Sequence, residues 1–266
     1  MSGMTPARNP PTSDSPPAGS HPEDSQPEDN QIVIFDFYGT LARATHWVSI
    51  PEVLGERGVE VTDAAMRQYF EGHDGVEHVE HSQSRTHYLA WQRERMFAML
   101  AETDVHPGEY DAIVEKLRAG SATRVLERYP EVLGVLDTLR EQGVRLAICS
   151  NWDWDLAEAV SEVGLTDHFD VVVSSAWVGA RKPHPRIFEA TLTRLDAPPE
   201  GILFVGDTWT PDVEGPLALG LCPAYLERND HWPDSGAPTD PAVRAVSAAR
   251  IPDLTGVLDL VDRARQ

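Results

Sequence analysis

The sequence predicts an α/β protein with a doubly wound, Rossmann-like parallel sheet and a helical segment inserted after the first strand. Over residues 121–266, short β-branched runs alternate with amphipathic helical patterns. Repeating βα units of this length are typical of a parallel sheet with helices on both faces. Residues 45–120 instead show helical spacing. We therefore predict an α/β core formed by residues 31–44 and 121–266, with a helical insertion at 45–120.

Residues 1–30 are dominated by Pro, Ser, Asp, Glu and Gly. Such a segment cannot bury enough apolar surface to offset the entropy of ordering, so a disordered tail is predicted. Order is predicted to begin at Ile32, where a β-branched and aromatic run ends in Asp36 and is followed by Gly39 and Thr40. This pattern is typical of a buried parallel strand that meets a turn.

The insertion carries apolar residues at helical spacing among many His, Arg and Glu residues. The apolar positions are Tyr88, Leu89, Trp91, Met96, Met99 and Leu100. A neighbouring polar group comprises His73, His78, His81, Arg85 and His87. Its spacing lacks the ligand pattern of zinc helices, so a solvated polar helix face is predicted, with Arg85 or His87 as a candidate contact for an anionic substrate.

The α/β alternation resumes with an amphipathic helix at 131–142, closed by Gly143, and a buried strand at 144–149 that ends at Ser150 and Asn151. Further strands are predicted at 169–173, 201–205 and 223–226, and further helices at 187–195 and 212–220.

Composition limits the class of partner. The chain has 43 Asp and Glu against 22 Lys and Arg, so its field repels nucleic acid and anionic membranes, and a small-molecule partner is predicted. Cys149 and Cys222 match neither a disulfide framework nor a zinc site. Because no transmembrane or secretory pattern is present, a cytoplasmic protein is predicted.

Polar residues stand at or after the ends of several predicted strands, and such strand ends converge at one edge of a parallel sheet. They are Asp36, Ser150, Asn151, Lys182, Asp207 and Asp212. Carboxylates, one ammonium and a hydroxyl make a site for a divalent cation together with an anionic substrate.

In order, residue type and spacing, these segments resemble the four motifs of the haloacid dehalogenase superfamily, over roughly residues 31–225. The resemblance implies the haloacid dehalogenase fold, with residues 45–120 as a helical cap that covers the site and selects the substrate. It also implies that Asp36 attacks the substrate to form a covalent aspartyl intermediate.

The resemblance assigns roles to the other motif residues. Ser150 matches the hydroxyl that binds the transferred group, and Lys182 matches the lysine that offsets nucleophile and phosphate charge. Asp207 and Asp212 match the acidic pair that holds Mg²⁺ together with Asp36. Further substrate contacts are predicted at Thr40, Asn151 and Trp209. This assignment agrees with the chemistry, since a carboxylate nucleophile approaches an anionic phosphoryl group only when cations screen the repulsion.

Tyr38 departs from the phosphatase pattern, in which a second aspartate stands two residues after the nucleophile and transfers protons. A phenol with a reference pKa near 10 is a feasible proton donor but a poor base at neutral pH. General acid-base catalysis is worth roughly 10²–10⁴-fold. Aryl and acyl phosphates, whose leaving groups are weak bases, would therefore suffer least from the replacement.

Tyr38 also resembles the Asp-x-Tyr-Gly-Thr-Leu start of L-2-haloacid dehalogenases, which displace halide without a metal. Dehalogenases lack the acidic pair of the fourth motif, whereas Asp207 and Asp212 form one here. The leading prediction is accordingly a Mg²⁺-dependent phosphatase acting on a small organic phosphate. The alternatives are a carbon-centred, 2-haloacid dehalogenase-like hydrolase and a binding or regulatory protein with little turnover.

Overall fold

The computed structural model describes residues 31–62, 65–66, 69, 76–228 and 248–266. The predicted disordered tail and His73 lie outside the described residues. The strands are β1 Ile32–Phe35, β2 Ala42–His46, β3 Val125–Arg128, β4 Arg145–Ser150, β5 Val171–Ser174, β6 Leu203–Gly206, β7 Cys222–Leu226 and β8 Ala249–Ile251. The α-helices are α1 Ile50–Gly55, α2 Arg85–Ala101, α3 Tyr110–Ala122, α4 Val132–Glu141, α5 Leu156–Glu162, α6 Ser175–Val178, α7 Pro185–Leu195, α8 Gly215–Ala218 and α9 Gly256–Ala264.

Six strands form a parallel sheet in the order β5-β4-β1-β6-β7-β8. β1 lies in the middle, where Val33 is paired with Leu146 of β4 on one side and Leu203 of β6 on the other. Successive strand residues point to opposite faces of a sheet. Val33 and Phe35 accordingly pack in a cluster with α4, α5 and α9, whereas Ile32 and Ile34 pack with α7. These observations confirm the predicted doubly wound α/β fold.

A two-stranded antiparallel ribbon of β2 and β3, which the sequence pattern did not reveal, brackets the helical segment. Most of its residues are exposed or half-buried, so it lacks the apolar alternation by which strands are recognised. Between β2 and β3 lie α1, α2 and α3, which share a separate apolar cluster containing Leu54, Leu100 and Ile113. α1 begins with a capping box between Ser49 and Glu52.

The insertion contacts the sheet domain through main-chain hydrogen bonds beside Lys182. The amide of His78 donates to the carbonyl of Gly179 at 2.7 Å, and the amide of Arg181 donates to the carbonyl of Val76 at 2.8 Å. Gly179 has φ +78°, and a Cβ there would lie 2.4 Å from the Cα of Val79. Only glycine therefore fits this close approach without rearrangement.

The predicted solvated His face is wrong in part. His78 is buried and stacks on Trp91, with ring centroids 4.4 Å apart, and His81 stacks on Trp91 at 5.4 Å. The flat imidazole rings cover the indole, and this packing competes with solvation. His87 is exposed as predicted.

The predicted helix over 212–220 is also more irregular than expected. The chain there forms a π-helical turn at Thr210–Glu214 that continues directly into the short α8. π-helical turns are rare and frequently occur at functional sites. Among the described residues, no helix is both long and apolar enough to cross a membrane.

Candidate active site

Three aspartates meet at the carboxyl edge of the sheet. Asp36 follows β1, and its amide donates to the carbonyl of Val205 in β6 at 2.8 Å, which ties the start of the loop to the neighbouring strand. Asp207 follows β6, and Asp212 lies in the π-helical turn. Carboxylate oxygens of Asp36, Asp207 and Asp212 lie within 4.8 Å of one another, and all three side chains are buried. The sheet therefore brings together the acidic residues that the sequence singled out.

Lys182 is the cation of this cluster. Its Nζ lies 2.6 Å from Oδ1 of Asp36 and 2.6 Å from Oδ1 of Asp212, and its side chain is 1% exposed. Asn151 fixes the main chain of this lysine, because its Nδ2 donates to the Lys182 carbonyl at 3.0 Å and its Oδ1 accepts from the Lys182 amide at 2.7 Å. The structure thus places Asn151 as a positioning residue for Lys182.

The pKa directions follow from burial and charge. Burial raises the pKa of Asp36, Lys182 opposes the rise, Asp207 adds to it, and a hydrogen bond with Ser150 favours the carboxylate. Burial likewise raises the pKa of Asp212 to about 7, against the opposing charge of Lys182. For Lys182, burial favours the neutral amine, but Asp212 and Asp36 outweigh it and the pKa is raised. Lys182 pairs with two of the three carboxylates that meet here, and added positive charge would stabilise such a concentration of acidic groups.

The raised pKa of Asp212 predicts how the stability of the metal-free protein depends on pH. The folded state binds this proton more tightly than the unfolded state, so its contribution is fully present below about pH 4 and is lost as pH rises through about 7. In a chelator, the free energy of unfolding should therefore be lower at pH 8 than at pH 5.5. Urea unfolding of wild type and Asp212→Asn at both pH values measures this. An equal pH dependence in the two proteins would contradict it.

Thr40, in the loop after β1, contacts the acidic cluster, and Arg228, just after β7, holds Thr40 in place. The Thr40 hydroxyl donates to Oδ1 of Asp207 at 3.3 Å. Nη2 of Arg228 donates to the carbonyl of Thr40 at 2.9 Å and to Glu131 at 2.7 Å. The guanidinium also lies 3.5 Å from the ring centroid of Tyr129. Arg228 was missed in the sequence, although its position just after β7, at the same sheet edge, was a usable signal.

The lack of a side chain at Gly206 leaves room for the side chain of Asp212. The Oδ2 of Asp212 accepts a hydrogen bond from the Thr208 amide at 3.0 Å, which folds this carboxylate back over the end of β6. A Cβ at position 206 would lie 2.3 Å from Cγ and 2.5 Å from Cβ of Asp212. The absence of a side chain at Gly206 is therefore a requirement of the site.

Gly206→Ala is expected to displace Asp212 and destabilise the fold by roughly 1–3 kcal/mol, because added volume in a packed site forces backbone or rotamer shifts. Urea unfolding gives the stability change. Gly134→Ala is a matched control on α4, since a Cβ there meets nothing within 4 Å. Equal stability of the two variants would show that Asp212 can move at no cost.

Of the remaining predicted residues, Ser150 lies with the cluster, and Tyr38 packs against two tryptophans. Ser150 is buried at the end of β4 and bonds to Asp36. Tyr38 is half-buried two residues after Asp36, with its ring centroid 5.5 Å from that of Trp47 and 6.0 Å from that of Trp152.

The structure places Trp209 and Arg85 in other surroundings. Trp209 is 1% exposed, packs on Tyr225 with ring centroids 5.3 Å apart, and donates from Nε1 to Glu214 at 3.2 Å. Burying the indole against an apolar cluster removes it from contact with a substrate in this conformation. Arg85 lies on the surface at the start of α2, 3.9 Å from Glu158.

Residues 31–220 match the family described as haloacid dehalogenase-like hydrolase. Because this match covers more than half of the sequence, the chain belongs to the haloacid dehalogenase-like hydrolase family.

Curated relatives include both phosphatases and dehalogenases. Haloacid dehalogenase-like hydrolase domain-containing protein 3 of Homo sapiens is 42% identical over 91 residues, covering 33% of this chain and 36% of that protein. Phosphoserine phosphatase of Thermus thermophilus is 34% identical over 113 residues, covering 42% and 45%. Haloacetate dehalogenase H-2 of a Moraxella species is 36% identical over 117 residues, covering 41% and 51%. The chain thus spans about a third to a half of the length of these relatives.

Solved structures share the fold. A predicted phosphoglycolate phosphatase from Haemophilus somnus superposes with a TM-score of 0.62 at 17% identity, covering 87% of this chain and 97% of that one. A 2-haloacid dehalogenase from Pseudomonas syringae superposes with a TM-score of 0.51 at 22% identity, covering 88% and 98%. At these identities the likeness concerns the fold alone.

Proposed function

We propose that this chain is a Mg²⁺-dependent phosphatase that acts on a small organic phosphate through an aspartyl-phosphate intermediate on Asp36. One observation carries the proposal: in the described part of the chain, three buried carboxylates converge within 4.8 Å of one another, and the Lys182 ammonium lies 2.6 Å from two of them. Buried like charges at this distance repel one another unless cations compensate them. A site of this kind suits a divalent cation and an anionic substrate.

The donor set fits Mg²⁺. Hard divalent cations prefer carboxylate oxygens, and Mg²⁺ commonly takes one or two carboxylates together with waters and phosphate oxygens. Asp36, Asp207 and Asp212 would hold it. When bound, the ion would offset the charge of the carboxylates and of the phosphoryl oxygens. Thr40 supports this arrangement, because its hydroxyl contacts Asp207 and its carbonyl is held by Arg228.

In the proposed reaction, a carboxylate oxygen of Asp36 forms a bond to phosphorus while the bond from phosphorus to the leaving oxygen breaks. The leaving group departs with that electron pair. Lys182 compensates charge on the nucleophile and on the phosphoryl group, and the Ser150 hydroxyl hydrogen-bonds to the phosphoryl oxygens. Water then attacks the acyl phosphate, which releases inorganic phosphate and regenerates the Asp36 carboxylate.

The testing experiment is a panel of phosphate esters and 2-haloacids, each with and without Mg²⁺. The phosphatase proposal expects phosphate release that requires Mg²⁺, with aryl and acyl phosphates turned over faster than alkyl phosphates. Faster hydrolysis of alkyl phosphates would contradict the role inferred for the leaving group. If no compound in the panel turns over, the chain is instead a binding or regulatory member of the family.

A second candidate, a carbon-centred hydrolase of the 2-haloacid type, is favoured by one observation. Tyr38, two residues after Asp36, occupies the position at which phosphatases carry a second aspartate. Its ring packs against that of Trp47. Halide leaving groups need no proton donor. Release of halide from a 2-haloacid in the presence of chelator would support this candidate, and its absence would remove it.

Tyr38→Asp is expected to raise the rate on alkyl phosphates by about 10²-fold, because a carboxylic acid two residues after the nucleophile restores proton transfer to the leaving alkoxide. The measurement is phosphate release from an alkyl and an aryl ester at saturating Mg²⁺. The gain should be larger for the alkyl ester. Tyr38→Phe serves as the control, since it keeps the ring without an acid. An equal gain on both esters would mean that the rate of the wild-type protein is not limited by proton transfer to the leaving group.

A further inference from the structure

Three aromatic rings pack against one another, and one of them belongs to the residue two positions after the proposed nucleophile. The ring centroids of Tyr38 and Trp47 are 5.5 Å apart at 90°, and those of Trp47 and Trp152 are 5.5 Å apart at 61°. The Tyr38 and Trp152 centroids are 6.0 Å apart. We call these three residues the aromatic wall. Edge-to-face packing of this kind keeps the rings in defined orientations.

The wall shares two loops with the candidate active site. Tyr38 is two residues from Asp36, and Trp152 is two residues from Ser150, on the loops that follow the paired strands β1 and β4. The aromatic wall is therefore built in part on the same two loops as Asp36 and Ser150.

The inner ring of the wall is held rigidly. Nε1 of Trp152 donates to Asp155 at 3.0 Å, and Asp155 forms a largely buried ion pair with Arg124 at 2.8 Å. Trp152 also packs edge-on against Phe37 in the core, with ring centroids 5.2 Å apart. A rigid aromatic surface loses little conformational entropy when a ligand binds to it.

The outer ring of the wall is open to a ligand. Trp47 is 38% exposed, although its ring packs against those of Tyr38 and Trp152. It is one of the large hydrophobic side chains that are exposed in the described part of the chain. An apolar surface beside a charged site is typical of a subsite that binds the apolar portion of a ligand.

We propose that the aromatic wall binds the leaving group of the substrate and that this group is an aryl ring, so that the natural substrate class is an aryl phosphate. The inference rests on the proposed phosphatase function. An aryl ring stacks on or packs edge-on against Trp47, while Lys182 compensates the phosphate. An aryl oxide also leaves without strong acid assistance, which matches the tyrosine at position 38.

The test measures binding without turnover. Phenylphosphonate and methylphosphonate carry the same anion but differ in the ring, and neither is hydrolysed as an ester. Titration calorimetry with Mg²⁺ should show tighter binding of phenylphosphonate to wild type. Trp47→Ala should weaken phenylphosphonate binding about two- to tenfold, the range expected for loss of an aromatic pair, and leave methylphosphonate binding unchanged. Trp47→Phe should retain most of the preference.

The control and the outcomes separate the two proposals. Leu217→Ala removes another exposed apolar side chain, 46% exposed on α8, and should change neither affinity. Equal binding of both phosphonates to wild type, or equal weakening of both in Trp47→Ala, overturns the aryl subsite. Mg²⁺-dependent phosphate release by the same preparation would still support the phosphatase. A preference for phenylphosphonate that is lost in Trp47→Ala and kept in Trp47→Phe supports the subsite.

Discussion

Asp36→Asn is expected to reduce Mg²⁺-dependent hydrolysis of an aryl phosphate by about 10⁴-fold or more, since loss of a covalent nucleophile leaves only binding and electrostatic contributions. The amide has nearly the shape of the carboxylate but is neither a comparable nucleophile nor a charge partner for Lys182, which lies 2.6 Å from Asp36 in the wild type. Single-turnover assays with a radiolabelled phosphoryl group should show a labelled acyl phosphate in wild type and none in the variant.

Asp259→Asn is the matched control for this experiment. Asp259 is an exposed carboxylate on α9, so the same change of charge there should leave turnover within about twofold of wild type. Residual activity above one per cent in Asp36→Asn, with the protein folded by circular dichroism, would remove Asp36 from the role of nucleophile.

Lys182→Met is expected to lower both activity and stability. Removing one partner from a buried ion pair leaves an uncompensated buried charge and costs about 3–5 kcal/mol. Here two carboxylates, Asp36 and Asp212, lose the same ammonium. Turnover should fall by about 10³-fold, because the cation no longer stabilises charge at the phosphoryl group. Urea unfolding in chelator measures the stability change, and phosphate release measures the loss of turnover.

Added Mg²⁺ gives a second criterion for this prediction. If Asp36, Asp207 and Asp212 bind the ion, Mg²⁺ should stabilise Lys182→Met more than it stabilises wild type, since the variant carries more uncompensated charge. Lys116→Met is the control, because Lys116 is a surface lysine paired with Glu56 and surface ion pairs contribute little. Equal stabilities of the two variants in chelator would mean that Lys182 carries no such role.

Five of the six strands of the central sheet could be predicted, because they are largely buried and read as apolar runs. The sixth, β8, has three residues and only one of them is buried, so it gave no such run. β4 ends in Ser150, and β1 is followed directly by Asp36, so a polar residue marks the boundary of each strand. The β2–β3 ribbon gave no such signal. Its strands lie about 80 residues apart in the sequence, and Arg43 and Glu127 face each other across it with little burial. Pairing of exposed polar strands leaves no hydrophobic period to detect.

The charged cluster could be anticipated in part because strand ends converge, whatever lies between them in sequence. Lys182 is the instructive case, since its position relative to Asp36 is set by Asn151, through two hydrogen bonds to the lysine main chain. Arg228 donates a hydrogen bond to the main-chain carbonyl of Thr40. Any residue offers such a carbonyl, so the contact has no sequence motif. Trp209 illustrates the opposite error. A residue next to a motif in sequence need not face the site, and here the indole packs on Tyr225 instead.

The main-chain pairing between the insertion and the Gly179 segment ties residues 76–78 to the part of the chain that carries Lys182. His78 and Val76 are bonded to Gly179 and Arg181, and Lys182 is the next residue along. Displacing residues 76–78 from the sheet domain would break both hydrogen bonds or move the chain segment that holds the Lys182 ammonium beside Asp36. The proposed cap and the proposed catalytic lysine thus share one backbone connection.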